Sequence, residues 1–260
     1  MLESQPLDLL PIWSVYLLTV IIFFLAVEAG FMFSKPIQKR WPDKSEAGVG
    51  AMVGAALALL GFLLAFVTGI AIDNFNQRRH LVVYEANAIG TTYLRAGYLE
   101  EPYRDESRNL LREYVDLRLQ ALNREYTQTA IQRSEQIQDE LWHIAENIAK
   151  EYQTATISLY LSSLNEVIDL HTERLNAELG FRVPPVMIIG LYVVALLTML
   201  LIGVYDAYRE KQNLLALVMV VLIVSVVFLV IIDMDRSNVG LFQVPQKALI
   251  SLQEKLNLVP

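Results

Sequence analysis

Apolar residues dominate four long runs of the chain: Pro11–Phe33, Val49–Ile72, Val183–Val204 and Leu214–Ile232. Each holds about the 20 apolar residues that a helix rising ~1.5 Å per residue needs to cross a bilayer core. Between the second and third runs lies a polar stretch of roughly 110 residues, far too long for a hairpin loop. The pattern predicts an all-α membrane protein with four transmembrane helices. A helical bundle outside the membrane is inserted between the second and third spans. The expected divisions are residues 1–72 for the first two spans, 73–182 for the bundle, 183–232 for the last two spans, and 233–260 for a tail with a short amphipathic helix.

Within the insert the apolar residues recur at alternating spacings of three and four, the period of a helix with one buried face. The expected breaks are Gly97–Pro102, the polar patch Asn123–Thr129, and a change of phase near Glu151–Thr154. Four helices follow. Their apolar seams read Val82, Ala86, Ile89, Tyr93, Ala96; then Leu110, Tyr114, Leu117, Ala121; then Ile137, Leu141, Ile144, Ile148; and last Ile157, Leu161, Leu164, Ile168, His171, Leu175. Helices in a bundle bury such seams against one another.

No Pro or Gly falls between Gly69 and Gly90, so the second span is expected to run unbroken into the first bundle helix. The return path differs. Gly180 suits a helix C′ position, and Pro184 and Pro185 suit the start of the next helix. A rigid outgoing strut and a hinged return at Gly180, Pro184 and Pro185 are expected. In the tail, Leu249, Leu252 and Leu256 share one helical face, fit for the membrane surface or for docking on the bundle.

Charge adds orientation. Lys35, Lys39, Arg40 and Lys44 fill the first short loop, and Arg209 and Lys211 the second. Short loops rich in Lys and Arg stay in the cytoplasm. A multi-pass protein of the bacterial inner membrane is expected, with the insert and both termini periplasmic. The segment before the first span has no Lys or Arg, unlike the basic start of a cleavable signal peptide. The insert carries 18 Asp/Glu against 12 Lys/Arg, which argues against nucleic acid as a partner. Cysteine is absent, which excludes disulfides and thiolate chemistry.

Candidate chemistry is sparse. Phe62, Phe66 and Ile70 fall on one face of the second span, with Asp73 just beyond. In a symmetric oligomer such a stripe can ring a pore and close it by dewetting, although apolar residues also face lipid or neighbours in any membrane helix. Gly50, Gly54, Ala58 and Gly61 on the same span allow close helix approach, within the chain or between copies. Glu28, near the end of the first span, is placed to snorkel toward Lys35 or Arg40.

In the bundle, Asn87, Thr91 and Arg95 form a polar stripe. Glu85 shares a face with Arg78, and Glu166, Asp169 and Glu173 line another helix. A salt-bridge network in which Arg78, Arg79 and Arg95 satisfy these carboxylates is favoured over a bridging cation. His171 sits in an apolar seam, more often the place of a hydrogen-bonded core residue than of a pH switch. No metal site, cofactor motif, phosphate loop or nucleophile elbow is visible, so no enzyme is expected.

Several segments together are similar to the bacterial bestrophin-like membrane family. They are Gly61–Phe66; Arg79; Glu85–Thr91; Tyr93–Arg95; Tyr114–Asp116; Asn165–His171; Arg182–Pro185; and Asp233–Arg236 with Gly240. The resemblance covers nearly the whole chain. It implies kinship with the bestrophins, pentameric anion channels with four spans and a helical domain. In those channels an apolar neck lies on the second span, where Phe62, Phe66 and Ile70 sit here. The acidic insert and Asp73 would instead make a vestibule that attracts cations. The expected function is a homo-oligomeric channel or channel-like protein in the lipid bilayer, passing an inorganic ion along span two. The alternative is a membrane-anchored sensor or scaffold whose bundle binds a ligand or partner protein.

Overall fold

A computed structural model describes residues 10–40, 46–123, 126–152, 154–209, 213–236 and 240–258, without the side chains of residues 35, 37–40, 46 and 179. Among the loop charges, Lys44 and Lys211 lie outside the described residues, as do the side chains of Lys35, Lys39 and Arg40. Parts of two expected breaks, at residues 124–125 and 153, also lie outside them.

The described elements are all helical: α1 (Ile12–Arg40), α2 (Glu46–Ala96), α3 (Tyr103–Gln120), α4 (Thr127–Glu151), α5 (Ala155–Gly180), α6 (Pro185–Tyr208), α7 (Leu214–Asp235) and α8 (Lys247–Leu258). Four of them, α1, α2, α6 and α7, contain segments long and apolar enough to cross a membrane. The 51-residue α2 is continuous, as the absence of Pro and Gly between Gly69 and Gly90 predicts. The helices divide into two compact units. One comprises Met1–Phe75 and Arg182–Gln243; the other comprises Asn76–Phe181 and Val244–Pro260.

In the first unit α1 packs along α6. Their approach is so close that a Cβ on Gly203 would strike the Val27 carbonyl, and one on Gly30 the Leu200 carbonyl. Small residues permit this where apolar burial cannot drive association, because lipid is as apolar as the helix face. Thr19 and Tyr192 share a hydrogen bond of 2.8 Å across the same pair of helices. Phe23, Tyr192 and Phe228 join α1, α6 and α7 in an aromatic cluster, with ring centroids 4.4–6.0 Å apart.

The end of α7 is a polar knot. The Asp233 carboxylate accepts the backbone N–H groups of Leu241 and Phe242. Asp235 accepts that of Val183 at 2.6 Å, and Arg236 donates to the Leu10 carbonyl at 3.0 Å. Three charged side chains are therefore buried, each with a backbone partner, as burial of charge requires. Gly240 completes the knot. Its φ is +135°, and a Cβ there would strike Asp233 Oδ1.

The second unit contains the later part of α2 with α3, α4, α5 and α8. Its core includes Ile89, Tyr93, Leu111, Tyr114, Ile137, Leu141, Tyr160 and Leu164. The α2 and α4 seams are buried as their spacing predicts. The α3 and α5 seams are borne out in part: Tyr114, Ile157, Leu164 and His171 are buried, while Leu110, Leu117, Leu161 and Ile168 pack partly buried against the core. Leu111, Tyr114, Val115 and Arg118 are buried on α3, and Tyr160, Leu164, Val167, His171 and Arg174 on α5. A search restricted to apolar residues passes over Arg118 and Arg174, which fill core positions. Of the two places open to the tail helix, the bundle is the one it takes: Leu249 and Leu256 are buried in this core.

Candidate functional site

Two sets of side chains stand out, one in each unit. In the first unit, α2 turns Leu60, Leu64, Val67 and Ala71 into the core. This places Phe62 and Phe66 on the opposite side, 67% and 55% exposed. Ile70 is partly buried against the core, and Asp73 is exposed. The face around Phe62 and Phe66 is built from small residues as well. Gly54, Gly61 and Gly69 have nothing within reach of a Cβ. One face of α2 is thus turned into its own chain's core, and the rest presents Phe62 and Phe66 together with Met52, Leu59 and several glycines and alanines.

In the second unit the polar residues converge on Glu85, which is fully buried. Its carboxylate lies 2.8 Å from Arg118 Nε and accepts a hydrogen bond from Arg174. The Arg118 contact is an ion pair outside directed hydrogen-bond geometry. The Tyr114 hydroxyl sits 3.3 Å from Glu85 and 2.9 Å from His171 Nδ1, and accepts a bond from Gln138 at 3.2 Å. Arg174 also donates to Gln246, just before α8. Four helices, α2 to α5, and the segment just before α8 therefore feed one network.

Electrostatics follow from this enclosure. Burial alone would raise the Glu85 carboxyl, but the Arg118 and Arg174 guanidiniums hold it below the ordinary carboxylate value. Burial pushes the Tyr114 hydroxyl up, with Glu85 adding to the effect. His171 is pushed down to about 4, first by burial and then by Arg118, against the opposing pull of Glu85. The imidazole is therefore neutral at pH 7, and its Nε2 has no partner among the described residues.

A pH dependence follows. His171 has a lower pKa folded than unfolded, so the unfolded chain binds more protons between pH 6.5 and 4. Stability is full above pH 6.5 and falls by about 3 kcal/mol as the pH drops through that window. Thermal unfolding of His171→Gln is expected to show a flatter pH profile between 6.5 and 4.5 than the wild type. Parallel profiles would contradict this reading of His171.

The network differs from the expected one. Glu85 is partnered by Arg118 and Arg174, not by Arg78, Arg79 or Arg95. Arg78 is buried and donates to the carbonyl of Phe181, the residue capping α5, at 2.6 Å. Arg79 is exposed. Arg95 donates to the Leu159 carbonyl on α5 at 2.7 Å. Glu166 and Asp169 are exposed, and Asp169 accepts from Asn165 one turn away. Asn87 and Thr91 line a surface groove. Gly180 is the last helical residue of α5 rather than the residue beyond it; Phe181, with φ −85° and ψ 67°, ends the helix. Pro185 opens α6, with Pro184 as its cap residue.

Comparison with solved structures places this architecture. A bacterial bestrophin homologue from Klebsiella pneumoniae superposes with a TM-score of 0.64 at 15% identity, over 94% of this chain and 97% of that one. Two of its single-substitution variants give TM-scores of 0.65 and 0.61, at 15% and 16% identity. They match over 94% and 95% of this chain, and 97% of theirs. The fold is therefore the bestrophin fold. The sequence profile of the Bestrophin-like domain matches residues 20–249, and the chain belongs to the bestrophin-like family. No curated protein matches the sequence.

Proposed function

We propose that this protein is a homo-oligomeric channel of the bacterial inner membrane, with the apolar part of α2 lining the path of an inorganic ion. The supporting observation is the exposed face of α2. Phe62 and Phe66 are unburied on a helix that turns Leu60, Leu64, Val67 and Ala71 of its opposite face into its own chain's core. Around a symmetry axis these rings form a constriction that closes by dewetting. Asp73, one turn beyond Ile70, supplies a charge at its end. In this reading residues 1–72 and 183–232 make four spans, 73–182 a bundle outside the membrane, and 233–260 a tail. Gly180 and the Pro184–Pro185 pair form the hinge of the return path.

The short-loop charges put the bundle and both termini in the periplasm. The absence of cysteine makes the test clean. A single Gln136→Cys variant, at an exposed position on α4, is expected to react with a membrane-impermeant maleimide in spheroplasts. Labelling only after lysis would place the bundle in the cytoplasm. The oligomer is tested by light scattering on the purified protein. A mass that is a multiple of 29.5 kDa is expected, and a monomer would overturn the proposal.

A further inference from the structure

The second unit carries a surface groove of about 820 Å³ between α2 and α8, a volume within the range of small-molecule sites. Its lining contains Arg108 and Lys255 but no Asp or Glu, although the insert as a whole is acidic. Leu94, Leu252 and Leu258 give it an apolar wall, and Asn87 and Thr91 add polar groups.

Arg108 is the telling residue. Its guanidinium lies 5.0 Å from the centroid of the Tyr93 ring. Its Nε is shut away from solvent and has no hydrogen-bond partner among the described residues. The neighbouring Arg112 is different. It donates to the Tyr93 hydroxyl at 2.6 Å, to the Leu256 carbonyl at 3.1 Å and to Asn109 at 3.0 Å. Both guanidiniums therefore lie near the Tyr93 ring, Arg112 at 5.3 Å from its centroid, and only Arg112 also bonds the hydroxyl. The enclosed Nε is out of a ligand's reach, so the donors Arg108 brings to the groove lining are those of its two terminal nitrogens.

We infer that this groove binds a small amphipathic carboxylate, its head on Arg108 and Lys255 and its apolar chain along Leu94, Leu252 and Leu258. The planar fork of a guanidinium suits a carboxylate, which accepts two parallel hydrogen bonds. A monoanion also fits two cations better when no protein carboxylate is there to neutralise them. The groove is lined by none of the residues assigned to the proposed ion path and goes beyond that reading: it gives the bundle a ligand of its own.

Octanoate is the probe, titrated by calorimetry into the full-length protein in lipid nanodiscs, with empty nanodiscs as the blank. Saturable binding is expected, weakened about tenfold in Arg108→Gln and about threefold in Lys255→Gln. Octanamide, with the same chain and no charge, is expected to bind at least about tenfold more weakly than octanoate. Should Arg108→Gln fail to fold, Lys255→Gln on the exposed α8 surface and the octanamide comparison carry the test. Equal binding of octanoate and octanamide would overturn the inference, as would octanoate binding unchanged in Lys255→Gln and Arg108→Gln. So would a Ser251→Cys variant that cross-links to a second copy, because the groove would then be a subunit contact.

Discussion

Replacing Phe66 with alanine is expected to raise ion flux through reconstituted vesicles by at least an order of magnitude. The ring is 55% exposed on α2 and makes no part of its own chain's core, so its removal leaves the fold intact. What it removes is apolar surface from the proposed constriction. A Phe side chain contributes about 1.5–3 kcal/mol when shielded from water, and ~1.4 kcal/mol already shifts a population tenfold. In the proposed oligomer every subunit carries the change, so the effects combine at one axis. Phe62→Ala acts in the same direction one turn away. Leu64→Ala, on the buried face, is expected to lower thermal stability with no comparable gain in flux. Flux absent in wild type and in both phenylalanine variants would remove the channel reading.

The second large effect is on stability. Glu85→Ala leaves Arg118 and Arg174 buried without their shared carboxylate. Breaking one partner of a buried ionic network costs about 3–5 kcal/mol, because the remaining charges cannot reach water. The apparent melting midpoint is expected to fall by roughly 10 °C, in keeping with a shift of a few degrees per kcal/mol for a chain of this size. Glu85→Gln restores shape and one acceptor but not the charge, and falls between the two. The sign of the acid response is also fixed. A carboxyl held low in the folded state contributes stability above its unfolded pKa and loses it as the pH falls. Glu85→Ala is therefore expected to flatten acid unfolding below about pH 4.5. A variant that melts like wild type at neutral pH would show that the network carries no stability.

The helices were legible where backbone chemistry punctuates them. Gly97–Pro102 separates α2 from α3, and the polar patch before Thr127 separates α3 from α4. The uninterrupted stretch from Gly69 to Gly90 gave the continuity of α2, and Pro184–Pro185 the start of α6. Periodicity found the seams of α2 and α4 because their apolar residues mark the buried face, although Glu85 and Thr92 on α2 and Ser134 and Gln138 on α4 are buried beside them. On α3 and α5 it found only part of the buried face, Tyr114 and then Ile157, Leu164 and His171, because Arg118 and Arg174 also occupy the core.

The same substitution of charge for hydrophobe hid the partners of Glu85. Arg118 and Arg174 lie 33 and 89 residues away in sequence, and only the packing of three helices brings them together. Arg78, seven residues before Glu85, shares a helical face with it but reaches instead for the end of α5. Arg108 offered no signal at all in the sequence. Its distinction is a place in a groove lining without carboxylates, with no hydrogen-bond partner for Nε among the described residues, and both are visible only when its surroundings are. The knot after α7 was marked by Asp233–Arg236 and Gly240 as a family feature, while its role in bonding the backbone at the starts of α1 and α6 needed coordinates.

The central claim is that α2 faces an axis shared by several copies. A map of the purified oligomer at side-chain resolution tests it most directly. The expected result is a closed ring of subunits with Phe62 and Phe66 from each copy surrounding the axis and Asp73 beyond them. A ring, or a monomer, in which those two phenylalanines meet lipid would contradict it.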